Sequence, residues 1–195
     1  MKRPSPHFLA LLFLCGGLLP AVAQDAPGTP EPRKAETMKM PVASDLNAKA
    51  LWDGRKMAPF RALDFPKMVP AAAAGFLEDG DYVLALTVHG ESRAYPTRFI
   101  WWHHVINDKI GKPDAGGEEQ VAITYCSVCN TGICFARELD GSPVQLDFYG
   151  LYNGVVTLCE RDNGSVFLQA DGRFVTGALL GKHLKTGPLL DTTWG

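Results

Sequence analysis

The clearest hydrophobic pattern in the chain lies between residues 82 and 95. Tyr82 to Val88 is rich in β-formers, His89-Gly90-Glu91-Ser92 supplies turn residues, and Arg93 to Tyr95 returns. This predicts a hairpin. Pro96 then suits the first position of a helix running through TRFIWWHHVIN, residues 97–107. On that helix Phe99, Trp102, His103 and Ile106 share one face, and Asn107-Asp108 with Gly111 mark its end. From Val121 onward the pattern is one of short strands and tight turns. VAITY reads as a buried strand leading to Cys126, and further hairpins are expected around Asp140-Gly141, Asn163-Gly164 and Asp171-Gly172. Upstream, residues 51–70 read as an irregular, Pro-rich segment, and 71–80 as a short helical turn ended by glycine. The fold class expected is mainly β (β-rich α+β): a single compact domain of antiparallel hairpins with one significant helix carrying His103.

The ends of the chain change this picture more than its composition does. Residues 1–23 combine Lys2 and Arg3, an apolar run from Phe8 to Leu19, and Ala21-Val22-Ala23, the three parts of a secretory signal peptide. The run is shorter than the roughly 20 residues a spanning helix needs. Export to the periplasm or outside the cell is therefore expected, with no membrane span after signal cleavage. Residues 24–45, with four prolines and few large apolar side chains, read as a linker. Residues 46–195 are left as the domain, long enough to fold around its own core. The 195-residue chain carries 19 Lys and Arg against 21 Asp and Glu; without Lys2 and Arg3 the balance is 17 to 21, a net charge of −4. The charges are scattered with no basic stripe, which argues against nucleic acid as a partner, and they are expected to be solvated surface.

Candidate chemistry concentrates in TYCSVCNTGIC, residues 124–134. It places Cys126, Cys129 and Cys134 together, with Cys159 further on. A c-type haem site needs His after the second cysteine, and Asn130 stands there. No haem is expected, nor any nucleotide. A thioredoxin-like site wants its CxxC at a helix N-terminus, whereas Asn130-Thr131-Gly132 leads into a strand. Two thiolates on such a turn can face one ion, with His103, His104, Cys134 and Cys159 as candidates for the remaining ligands. Soft sulfur and imidazole donors suit copper or zinc.

Three readings follow. The first is a metal site of Cys126, Cys129 and His103, with Asn107 or Asp108 orienting it. The second is a thiol–disulfide oxidoreductase with an accessible Cys126 as nucleophile, Cys129 as resolving thiol and His103 as base. The third is a domain held by disulfides alone, for which Cys126 or Cys129 could pair with Cys159. Cys134 and Cys159 read either as redox or disulfide partners or as small buried residues.

RAYPTRFIWWHHVIND followed by VAITYCSVCNTG resembles the family known as domain of unknown function 3179, with its A-Y-P, H-E-I-V-N-D, T-Y-C-P-L-C-G-T, S-L-W-S-Q and T-T-W segments. Ala94-Tyr95-Pro96, His103, Asn107, Asp108, Cys126, Cys129, Ser165, Gln169 and Thr193-Trp194 stand at matching places. The resemblance implies that His103 and the CxxC belong to one site. His104 replaces the family's usual Glu, which removes a base and adds a further candidate ligand. Asn130 replaces Gly, Phe167 replaces Trp, Glu160 takes an Asp position, and Cys159 stands where an aromatic is common. Family members often continue beyond the Thr-Thr-Trp, so the resemblance also leads one to expect a last strand missing here.

Overall fold

The structure, a computed structural model, describes residues 41–57 and 61–195. The expected signal peptide at 1–23 and most of the expected linker lie outside them. The last linker residues, 41–45, are bound to the domain. Val42 bridges to Thr176, the Ala43 amide donates to the Val175 carbonyl at 2.8 Å, and Asp45 pairs with Arg173 at 2.8 Å.

The chain forms three sheets in layers, with a small hairpin at the side. The strands are β1 (Leu51–Asp53), β2 (Leu63–Asp64), β3 (Tyr82–Val88), β4 (Glu91–Pro96), β5 (Val105–Ile110), β6 (Glu119–Cys126), β7 (Thr131–Ala136), β8 (Glu138–Leu139), β9 (Ser142–Pro143), β10 (Leu146–Tyr152), β11 (Val155–Glu160), β12 (Val166–Leu168), β13 (Arg173–Phe174) and β14 (Leu190–Thr193). One helix, α1 (Thr97–His103), joins β4 to β5. The sheets run β1-β10-β11-β12-β13, β2-β5-β6-β7 and β14-β3-β4, with β8-β9 as a separate ribbon. All pairs are antiparallel except β2 with β5. Among the described residues the protein is mainly β with a single α-helix, as its sequence leads one to expect.

Strand β6 shows why the layers stack in this order. Val121, Ile123 and Tyr125 pack with Leu84, Leu86, Ile100 and Ile106, whereas Ala122 and Cys126 pack with Leu146, Leu158 and Phe167. Both faces of the strand are therefore buried, which explains its nearly unbroken apolar sequence. In the second core Phe167 meets Phe135 edge-on at 4.9 Å and Phe174 at 5.1 Å. Such pairs add about 0.5–1.5 kcal/mol each beyond burial. Type I′ turns close three hairpins, with positive φ at both central residues: His89-Gly90 (41° and 71°), Asp140-Gly141 (53° and 78°) and Asn153-Gly154 (49° and 82°). Gly150 lets β1 lie against β10, since a Cβ there would sit 1.8 Å from the Trp52 carbonyl oxygen.

The helix differs from its expected extent. It ends at His103, and His104 takes a left-handed cap (φ 60°) whose amide donates to the Ile100 carbonyl at 2.7 Å. Val105 and Ile106, stiff at χ1, then enter β5 and pair with Thr124 and Ile123 of β6. Ile106 thus leaves the expected helical face. Phe99 and Trp102 are exposed, and Ile100 is the helix's buried residue. Asn107 and Asp108 lie within a strand rather than at a helix end. The segment expected to be irregular contains β1 and β2, and the helical turn at 71–73 is a 3-10 turn.

Candidate functional site: a two-cysteine knuckle beside His104

Strand β6 delivers Cys126 to the edge of the core, and Thr131 pairs back with it to begin β7. Residues 127–130 form the loop between them. Asn130 has φ 51°, a left-handed conformation that Gly adopts freely and Asn tolerates; this accounts for Asn standing at a position where Gly is usual. The Tyr125 hydroxyl donates to Asn130 Oδ1, and Thr131 Oγ1 donates to the Cys129 carbonyl at 3.1 Å. From β12's end, buried Gln169 donates to Thr124 Oγ1 at 3.0 Å and to the Thr131 carbonyl at 3.2 Å, tying the two arms of the knuckle together.

The two sulfurs differ in exposure. Cys126 is 1% exposed, and its Sγ accepts the Cys129 amide at 3.3 Å. Cys129 is exposed; the neighbouring Cys126 side chain, with partial burial, raises its pKa to about 11. It also approaches the Gly154 carbonyl at 3.9 Å, where the Asn153-Gly154 turn passes the knuckle. The expectation of an accessible Cys126 is therefore corrected: its sulfur belongs to the core side of β6. The accessible thiol, Cys129, is held protonated at neutral pH, where a good nucleophile would be ionised.

His104 reaches the same place through its cap conformation. Its carbonyl accepts the Tyr125 amide at 2.9 Å, and its Nδ1 donates to the Tyr125 carbonyl at 3.3 Å. The ring stacks on Phe148 at 4.7 Å. With Nδ1 carrying the proton, Nε2 holds the lone pair. Burial lowers the His104 pKa, which favours the neutral, ligating form. His104, Cys126, Val128 and Phe148 line one cleft of about 170 Å³.

The other expected members stand elsewhere. His103 Nδ1 donates to the Arg61 carbonyl at 2.5 Å, and His103 does not line that cleft. Asn107 donates to Asp64 Oδ1 at 2.8 Å and to the Leu146 carbonyl at 2.9 Å. Asp108 accepts from Arg93 at 2.6 Å and from Tyr95 at 2.8 Å. Cys134 and Cys159 are buried in β7 and β11, and burial pushes both thiols up to about 12. All four described cysteines are free thiols. Among the described residues, no group of three or more His, Cys, Asp or Glu is arranged to hold a metal ion. Of the expected donors, Cys126 and His104 line one cleft, and Cys129 is joined to Cys126 through its backbone amide.

The Asn153-Gly154 turn and Phe148, which help form the site, escaped the sequence reading. The Asn-Gly pair between two β-rich runs was an available hairpin signal. Nothing in the sequence marked Phe148.

The fold and this knuckle define a layered, mainly β domain with a CxxC turn between central strands. A family model described as a protein of unknown function, DUF3179, matches residues 59–195, and the chain belongs to that family. No curated protein and no solved structure matches it. No helix among the described residues is long and apolar enough to cross a membrane.

Proposed function

We propose that the protein binds a soft transition-metal ion through Cys126 and Cys129, with His104 rather than His103 as the imidazole donor. The observation that carries this reading is Cys126 lining one cleft with His104 while its sulfur accepts the amide of Cys129, the second cysteine of the same tight turn. A metal ion displaces the thiol protons of both cysteines as they become thiolates. Copper(I) is the first choice, because thiolates select it and a pair of them satisfies it; zinc, which would take further donors, comes second. The leader-like start of the chain supports a setting outside the cytoplasm. Thiol–disulfide exchange has less support, since the accessible thiol is the one with the raised pKa.

The test is metal content by mass spectrometry on protein purified without air or chelators, beside Cys126→Ser and Cys129→Ser. The expected result is about one copper or zinc per chain, lost in each variant. Unchanged metal in both variants would sink the proposal.

A further inference from the structure

A second site lies away from the knuckle. The sheet β14-β3-β4 turns Leu84, Leu86 and Val88 into the core, while its other face carries Ala85 of β3 opposite Ala94 of β4. These are small side chains where strands usually carry large ones, and the volume they leave is not filled. The segment 66–77 forms one wall of an open cleft of about 970 Å³ over this region. Met68, Val69, Phe76, Phe99 and Leu190 line it, yet each is between 36% and 61% exposed. Exposed apolar side chains gathered around one cavity, rather than scattered singly, mark a surface that something covers. The volume lies at the upper end of the roughly 300–1,000 Å³ that small-molecule pockets occupy.

The polar groups in the wall narrow the ligand. Thr87 and Ser92 hydroxyls bond each other at 2.8 Å. Arg93 lines the cavity, but its guanidinium is engaged by Glu91 and Asp108, each at 2.6 Å. Lys67 is exposed at the wall and makes no ion pair among the described residues. The cavity thus offers a long apolar interior and one cation that no carboxylate holds.

We propose that this cavity takes a long-chain carboxylate, its hydrocarbon chain lying over Ala85 and Ala94 and its head paired with Lys67. A chain of methylenes gains about 0.8 kcal/mol per buried CH2, so the interior supplies the affinity. Lys67 supplies the preference for an anionic head.

The test is isothermal titration of the purified, delipidated protein with hexadecanoate below its micelle concentration, with 1-hexadecanol as the neutral comparison. One acid per chain is expected, bound more tightly than the alcohol. Lys67→Glu, at an exposed position that leaves the fold alone, should weaken the acid on the order of fivefold or more. Ala94→Phe, which fills the floor, should weaken both ligands at least about tenfold, with near-ultraviolet circular dichroism confirming that it folds. If Ala94→Phe does not fold, Lys67→Glu still decides. Absence of saturable uptake, equal binding of acid and alcohol, or an affinity unchanged by Lys67→Glu would each overturn the assignment, as would capture of an apolar peptide in place of the acid.

Discussion

Strand β5 separates two groups of residues that one site had been expected to hold. Just before its first residue stands His104, which lines a cleft together with Cys126, whose sulfur accepts the Cys129 amide. Along the strand, Asn107 and Asp108 are buried and saturated. Asn107 donates twice and accepts the Leu146 amide at 3.0 Å, while Asp108 takes Arg93, Tyr95 and the Lys109 amide. Burial works against the charge on Arg93, but Glu91 and Asp108 outweigh it and raise its pKa; Tyr95 is raised by its burial and by the Asp108 carboxylate. Both groups consist of residue types that do chemistry. The difference is what remains unspent: a satisfied network holds sheets in place, and donors facing a cleft can accept a ligand.

The strongest way to break this comparison is to cut the saturated network. Asp108→Ala would take one of two carboxylates from a guanidinium that is 17% exposed and leave a buried tyrosine hydroxyl without its acceptor. The expected loss is about 3 kcal/mol, the scale for removing one partner of a buried pair, or a fall in Tm of roughly 10 °C for a domain of this size. Metal content of the folded fraction should not change. A drop in metal without a drop in Tm would return Asp108 to the metal site.

A smaller effect sharpens the other half. His104→Gln should weaken metal binding roughly 10- to 100-fold, a range typical of losing a residue that supports a metal site, while His103→Gln should change it less than about threefold. Competition against a chromophoric chelator measures both. The opposite ranking would mean that the imidazole wanted by the sulfurs is the one now bonded to Arg61.

Much of the fold was legible because local chemistry and tertiary context agreed. Gly90, Gly141 and Gly164 mark turns that only a few residue types can make, and the apolar run of β6 is buried on both faces. The helix boundary was not legible. Ile106 fits the helical face by spacing, and only pairing with Ile123, far along the chain, shows that it belongs to a strand. The boundary also sets where the two imidazoles lie: with the left-handed cap, His104 lines the cleft beside Cys126 and His103 bonds the Arg61 carbonyl. Charge was misjudged for a related reason. Arg137, expected at the surface, is fully buried and donates to the carbonyls of Asp108, Val121 and Val144 and to Gln120 Oε1. Acceptors drawn from separate strands leave no local signature. The two cysteines of the knuckle were plain in sequence, since a CxxC brings its own geometry; their unequal exposure depends on which layer β6 faces.

The smallest effect concerns Asp64, where the saturated network reaches the surface. It receives Arg161 at 2.7 and 3.1 Å and Asn107 at 2.8 Å, with its side chain 35% exposed. Burial by itself would raise its pKa, but the Arg161 and Asn107 hydrogen bonds prevail and hold it below the ordinary carboxylate value of 3.8. In the unfolded chain the same carboxyl binds its proton at a higher pH than in the folded one. Its contribution is therefore present in full above about pH 4 and is lost as pH falls through the lower folded value. Solvent screening at a partly exposed pair keeps that contribution near 0.5 kcal/mol. Asp64→Asn should then lower the stability measured by urea unfolding at pH 7 by about this amount and flatten its acid limb below pH 4. An acid limb identical to that of the parent would mean that Arg161 is held by Asp147 alone, at 2.7 Å, and that the network ends at Asn107, inside the core.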